Sequence, residues 1–153
     1  MMDEYSIYWM KDGIAFHYFH KSGILYRFLK QYRHNKERSE LKMQYDYITN
    51  HFVREDLIAH FKKFQSNQLA IRINGNNVQI ERNEQAITLQ IYDKHLQFRC
   101  CTLKDAEELL FPILRDFESS LFVAGNNIVN YGWISPLKSS KKYHTREVLF
   151  SSH

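Results

Sequence analysis

Glycine is scarce in this chain, with five residues in 153, and proline and cysteine appear only twice each. So few glycines, spread along the sequence, cannot be assembled into a Walker or dinucleotide loop, and those nucleotide-enzyme fingerprints are absent. Apolar runs extend only a few residues, and the first six positions already carry Asp3 and Glu4. Neither a membrane span nor the hydrophobic region of a signal peptide is therefore expected, and the expected location is the cytoplasm. The two cysteines, Cys100 and Cys101, are neighbours. Adjacent Cα atoms about 3.8 Å apart are closer than ordinary disulfide geometry accepts, so both are read as reduced thiols. Charge of one sign is also missing: 21 Lys and Arg stand against 17 Asp and Glu, a net charge of +4. That is a mild basic bias, not the footprint of a dedicated nucleic-acid binder.

What the chain does hold is apolar and aromatic surface. Hydrophobic residues make up 44 % and charged residues 25 %, enough for a core without a disulfide or metal staple. A first strand is read in Tyr5-Ser6-Ile7-Tyr8-Trp9, after which Asp12 is placed to cap a short helix over 13–20. A second helix starts near Ser22, with Ile24, Leu25, Phe28, Leu29 and Tyr32 as its stripe. The basic stretch 30–38 reads as a fraying helix end or a loop. A third helix restarts at Glu40 with Leu41, Tyr45, Ile48 and Phe52, and a fourth carries Leu57, Ile58, Phe61 and Phe64.

From Leu69 the period changes to two. Leu69, Ile71 and Ile73 alternate up to a turn signal at Asn74-Gly75, and Val78 and Ile80 alternate on the return strand. Ile87, Leu89 and Ile91 make the next strand, and Leu96, Phe98 and Cys100 another across a turn at Asp93-Lys94. Thr102 and Asp105 then resemble a capping box for a helix with Ala106, Leu109, Ile113 and Phe117 inside, kinked at Pro112. Two short strands, 121–123 and 128–133, close the pattern. The sum is an α+β fold: a single domain over residues 1–137, with a mostly antiparallel β-sheet of about five strands packed with helices. Residues 138–153 are rich in Ser, Lys and His without a sustained period, and are expected to form a disordered tail.

Chemistry is thinly represented. His17 and His20 are spaced to share one side of a helix, but no carboxylate or cysteine stands at a matching offset, so no metal or other cofactor is expected. Cys100 faces the apolar side of its strand without a local partner. The acidic pairs Glu55-Asp56 and Glu107-Glu108 sit in first helical turns, where acids are favoured by the helix dipole alone. The chain is not expected to be an enzyme, and no small-molecule substrate is indicated. The rival reading is a small basic nucleic-acid-binding domain built on Lys30, Arg33, Lys36 and Arg38 around Tyr32. Glu37 and Glu40 interrupt that cluster, which favours a solvated face over direct nucleic-acid contact.

Two helical faces do not fit a simple core. At about 100° per residue, Ile14 and Tyr18 fall on one side of the first helix while Phe16 and Phe19 fall near the opposite side. If the phenylalanines face inward, Ile14 and Tyr18 project as anchors for another protein. In the third helix Gln44, Tyr47 and His51 form a stripe beside the buried one, and a tyrosine brings large area with a polar handle. The N-terminal helices are thus expected to carry the partner surface.

The motifs Tyr5-Ser6-Ile7-Tyr8-Trp9, His17-Tyr18-Phe19, Tyr45-Asp46-Tyr47-Ile48-Thr49 and Tyr131-Gly132-Trp133-Ile134-Ser135-Pro136, in that order, resemble the SirA family of sporulation inhibitors of replication. The resemblance spans residues 5–137. It implies an α/β domain that binds the N-terminal domain of the initiator DnaA, with helices of both partners packed side by side, and blocks new rounds of replication during sporulation. The positions it implies for contact are Ile14 and Tyr18 on the first helix and Gln44 and Tyr47 on the third, with Ala15 small enough to let a partner helix approach. One departure is Ile14, which stands where the family is typically aromatic.

Overall fold

The computed structural model describes residues 2–136. The expected tail, 138–153, lies outside them. Strand β1 (Asp3–Trp9) is followed by four helices, α1 (Asp12–Tyr18), α2 (Ser22–His34), α3 (Ser39–Ile48) and α4 (Arg54–Lys62). Four consecutive strands come next: β2 (Ala70–Asn74), β3 (Asn77–Arg82), β4 (Gln85–Ile91) and β5 (His95–Cys100). A helical stretch of α5 (Leu103–Asp105), a π-helical segment (Ala106–Leu110) and α6 (Phe111–Phe117) leads to β6 (Leu121–Gly125) and β7 (Tyr131–Trp133).

The sheet corrects the expectation of about five strands. It has seven, in the order β2-β3-β4-β5-β1-β6-β7, and every neighbouring pair is antiparallel. The additional strands come from placement: β1 pairs with β5 on one side and β6 on the other, so the first strand and the last hairpin join the meander in one sheet. The hairpin turn is also shifted by one residue. Asn74 pairs with Asn77, leaving Gly75 and Asn76 at the tip, and Gly75 has φ of +63°. A glycine with positive φ in the first central position is the signature of a type II′ turn, whose twist matches the flanking strands.

Alternation sends side chains to two faces. On one, Tyr5, Ile7, Val78, Ile80, Leu89, Leu96, Phe98 and Val123 meet α4 and the α5–α6 stretch in a large apolar core that includes Leu57, Phe61, Leu110 and Leu114. On the other, Tyr8, Met10, Phe122 and Ala124 meet Leu25, Tyr26 and Leu29 of α2 and Tyr45 and Ile48 of α3.

Several helix details differ from expectation. Asp12 is the first residue of α1, not its cap; Lys11 precedes the helix, and Ser120 Oγ donates to Asp12 Oδ1 at 3.1 Å. In α2, Ile24 is exposed and Tyr26 is buried instead, its ring stacked 4.5 Å from Tyr131 on β7. The third helix ends at Ile48, so Phe52 is buried from the following loop. Thr102 makes no side-chain cap, and Asp105 accepts from Gln85 Nε2 at 3.0 Å. Before Pro112 the helix widens into the π-helical segment instead of simply bending. A wider turn accommodates a ring that has no N–H to donate and that would clash with the carbonyl four residues back.

Candidate functional site

Helix α1 is seven residues long and contains no fully buried side chain, although Ile14, Ala15, Phe16 and Tyr18 are four of the seven. Ile14, Ala15 and Tyr18 rest half-buried against the tyrosine-rich core beneath α2 and α3. Phe19, just after the helix, stacks on Trp133 at 5.9 Å, and Trp133 Nε1 donates to the Phe19 carbonyl at 3.2 Å. The expected division, two phenylalanines inward and Ile14 with Tyr18 projecting, is therefore not the arrangement formed. Phe16 and Phe19 are also half-buried, so the helix lies on the domain like a strap whose apolar residues are all partly covered, while Asp12, Gly13 and His17 are exposed. The cause is local: β7 offers Trp133 to the end of α1, and the short helix has no element above it among the described residues.

Backbone pairing ties the start of α1 to the end of α3. Met10 forms an isolated bridge with Thr49, and Lys11 N donates to the Ile48 carbonyl at 3.0 Å. Thr49 Oγ1 donates to the Tyr45 carbonyl at 2.6 Å and helps end the helix there. Tyr47 is thereby brought beside the entry to α1, with Lys11 Nζ 5.2 Å from the centre of its ring. Such a cation–ring contact orients the phenol without covering it, and Tyr47 remains 70 % exposed. Gln44, one turn earlier, is exposed too. Of the five residues singled out from the sequence, two are open on α3 and three are partly covered on α1.

One apolar residue on this face was not picked out by the sequence. Met43 is 72 % exposed on α3, and four residues later comes Tyr47, so the two neighbour each other on the helix surface. Its signal was available: a methionine outside the Leu41, Tyr45, Ile48 stripe of an otherwise amphipathic helix. Methionine adapts its shape to a partner at low cost.

The chemical candidates are placed in structural roles. Cys100 is buried, and that burial pushes its thiol up to about 11, far from a nucleophile's range; Cys101 is exposed, and both are free. No group of three or more His, Cys, Asp or Glu residues able to hold a metal ion occurs among the described residues. No helix among them is long and apolar enough to cross a membrane.

The family model for the sporulation inhibitor of replication protein SirA matches residues 3–138, nearly the whole described domain. The chain belongs to the SirA family. No curated protein matches it. Membership places the chain among inhibitory regulators of replication rather than catalysts, in keeping with a face made of half-covered aromatic and aliphatic side chains. Each motif of the SirA resemblance also has a structural place: the first is the interior strand β1, the second ends α1, the third ends α3, and the last forms β7 and the segment after it.

Proposed function

We propose that the chain inhibits replication initiation by docking α1 and α3 onto the N-terminal domain of DnaA, covering a surface that the initiator needs for other partners. Tyr18 is the central anchor, Ile14 and Ala15 close around it, and Gln44 and Tyr47 supply polar contacts at the rim. The observation that carries this reading is α1 itself, an aromatic- and aliphatic-rich helix without one fully buried side chain, with the open ring of Tyr47 at its entry. Central aromatic residues in well-packed pockets supply much of the binding energy at protein interfaces, so a half-exposed tyrosine on a short strap suits that role. Blocking a surface requires no reaction, which agrees with the absence of an obvious catalytic constellation in the sequence.

The test is isothermal titration against purified DnaA N-terminal domain. Tyr18→Ala should cost about 2 to 4 kcal/mol, a loss of tens- to hundreds-fold in affinity, while its circular dichroism stays that of the wild type. An unchanged Kd with a folded variant removes Tyr18 from the interface.

A further inference from the structure

The basic cluster read from the sequence as a solvated face is divided by the structure. Arg38 pairs with Glu40 at 3.1 Å, whereas Arg33 and Lys36 turn into a cleft of about 730 Å³. That volume lies within the roughly 300–1,000 Å³ of small-molecule sites. The cleft opens where the layer of α2 and α3 stops over the sheet. Its floor is Ser6 and Tyr8 of β1 with His95 and Gln97 of β5; its walls are the ends of α2 and α3 and the β4–β5 turn.

Charge in the cleft does not cancel. Asp46 is occupied by Lys42 at 2.7 Å and Lys94 at 3.4 Å. Asp93 faces His51 at 2.9 Å, and Glu4 is held by Arg99 at 3.2 Å and Asn126 at 2.8 Å. Two cations remain without a carboxylate among the described residues: Arg33, whose one hydrogen bond among them is donated to the Asn126 carbonyl at 3.4 Å, and Lys36. Between them and the turn lies His95, its ring stacked 4.7 Å from Tyr92 and tilted against Tyr8 at 6.1 Å. Neither ring nitrogen of His95 has a hydrogen-bond partner among the described residues, and none of the buried polar side-chain atoms described is unsatisfied, so these nitrogens look into the open cleft. Burial, with Lys36 and Arg33 nearby, holds the imidazole neutral down to about pH 4, leaving one nitrogen to donate and one to accept.

We propose that this cleft binds a small phosphorylated molecule carrying a flat ring, of the nucleotide class, with the phosphate on Arg33 and Lys36 and the ring on the Tyr92 side of the Tyr92–His95 stack. Unpaired cations at one wall supply charge-assisted bonds to phosphate oxygens, and the face of Tyr92 turned away from His95 takes a planar ring of any base. A concave site with two free cations suits one phosphorylated molecule better than a nucleic-acid strand, which is bound along an extended row of positive charge.

The test uses the full chain in a buffer free of phosphate, titrated with adenosine 5′-monophosphate, inorganic phosphate and adenosine while the ring resonances of His95 and Tyr92 are followed by NMR. The monophosphate should saturate and shift both rings, with inorganic phosphate and adenosine each weaker by about tenfold or more. Arg33→Gln and Lys36→Gln should each weaken the monophosphate by about fivefold or more, and Arg72→Gln, on the β2 edge, should leave it unchanged. Lys36 is exposed and has no hydrogen bond or ion pair among the described residues to lose, so its variant separates binding from folding. Absence of saturation by the monophosphate, or equal binding by either glutamine variant, overturns the site. Equal affinity for inorganic phosphate overturns the ring contact. Displacement by a single-stranded oligonucleotide, with a salt slope of several phosphates, overturns the small-ligand assignment in favour of a nucleic-acid track.

Discussion

The two faces of the sheet are built from different materials. Toward α4 and α6 the buried residues are aliphatic or phenylalanine almost throughout, with Tyr5 stacked on Phe98 at 5.2 Å. Toward α1–α3 the cluster depends on tyrosines: Tyr8, Tyr26 and Tyr45, with Tyr32 stacked on Tyr45 at 4.3 Å, and its outer helix has no buried residue. An aliphatic core closes on itself, whereas tyrosines bring area while keeping a polar tip near water. One face therefore holds the fold together and the other can be covered by a partner without being rebuilt. The comparison breaks most readily at Phe98, about 1 % exposed and also packed edge-on against Phe111 at 5.9 Å. Phe98→Ala should cost about 3 to 5 kcal/mol, measured by urea unfolding. A loss under about 1 kcal/mol would mean that the aliphatic face is not the main source of stability.

Acid should act through the tyrosine side. Burial, then the nearby Lys36 and Arg33, lowers the His95 pKa from 6.5 to about 4. The unfolded chain takes up this proton as pH falls through 6.5, while the folded chain resists until about 4. Stability is thus full above 6.5, falls as pH drops through that window and levels off below it. The slope is at most about 1.4 kcal/mol per pH unit. His95→Gln should remove this component from denaturation curves taken between pH 7 and pH 5 in buffer without phosphate. A wild-type curve and a variant curve with the same slope would exclude His95 as its source.

Gly125 tests the join between the two faces, at the end of β6. A Cβ built there would fall 2.2 Å from the Ile128 carbonyl oxygen and 2.8 Å from Ile128 Cγ2. Gly125→Ala must push the 126–130 loop outward, at about 1 to 3 kcal/mol, and thermal unfolding measures it. An unchanged Tm would show that the loop yields freely.

The part of the fold that was legible in the sequence is the part with unbroken period. Alternation from Leu69 to Cys101 pointed to four strands, and the α2 start at Ser22 followed from its stripe. What the pattern could not convey is which distant segments share a sheet. Pairing of β1 with β5 and β6 joins residues about a hundred positions apart, and β7, with three residues, is too short to show a period. The same long-range placement explains the misjudged rotation of α2: Tyr131 on β7 draws Tyr26 inward and leaves Ile24 outside. At the site, Tyr47 and Gln44 were readable as leftovers from a helical stripe. The half-burial of Ile14 and Tyr18 was not, because it depends on tyrosines contributed by other elements.

The smallest effect on stability is the sharpest test of the division between faces. Tyr47 touches little of its own chain beyond the Lys11 ammonium, so Tyr47→Ala should move the unfolding free energy by no more than about 0.5 kcal/mol. Affinity for the DnaA N-terminal domain should nevertheless fall by about tenfold, since a rim tyrosine contributes roughly 1.4 kcal/mol when covered. Met43→Ala, on the same exposed face of α3, serves as the graded control, with a smaller loss of affinity and no loss of stability. If Tyr47→Ala instead destabilised the fold as strongly as it weakened binding, α3 would be part of the structural core and its outward face would not be a surface reserved for a partner.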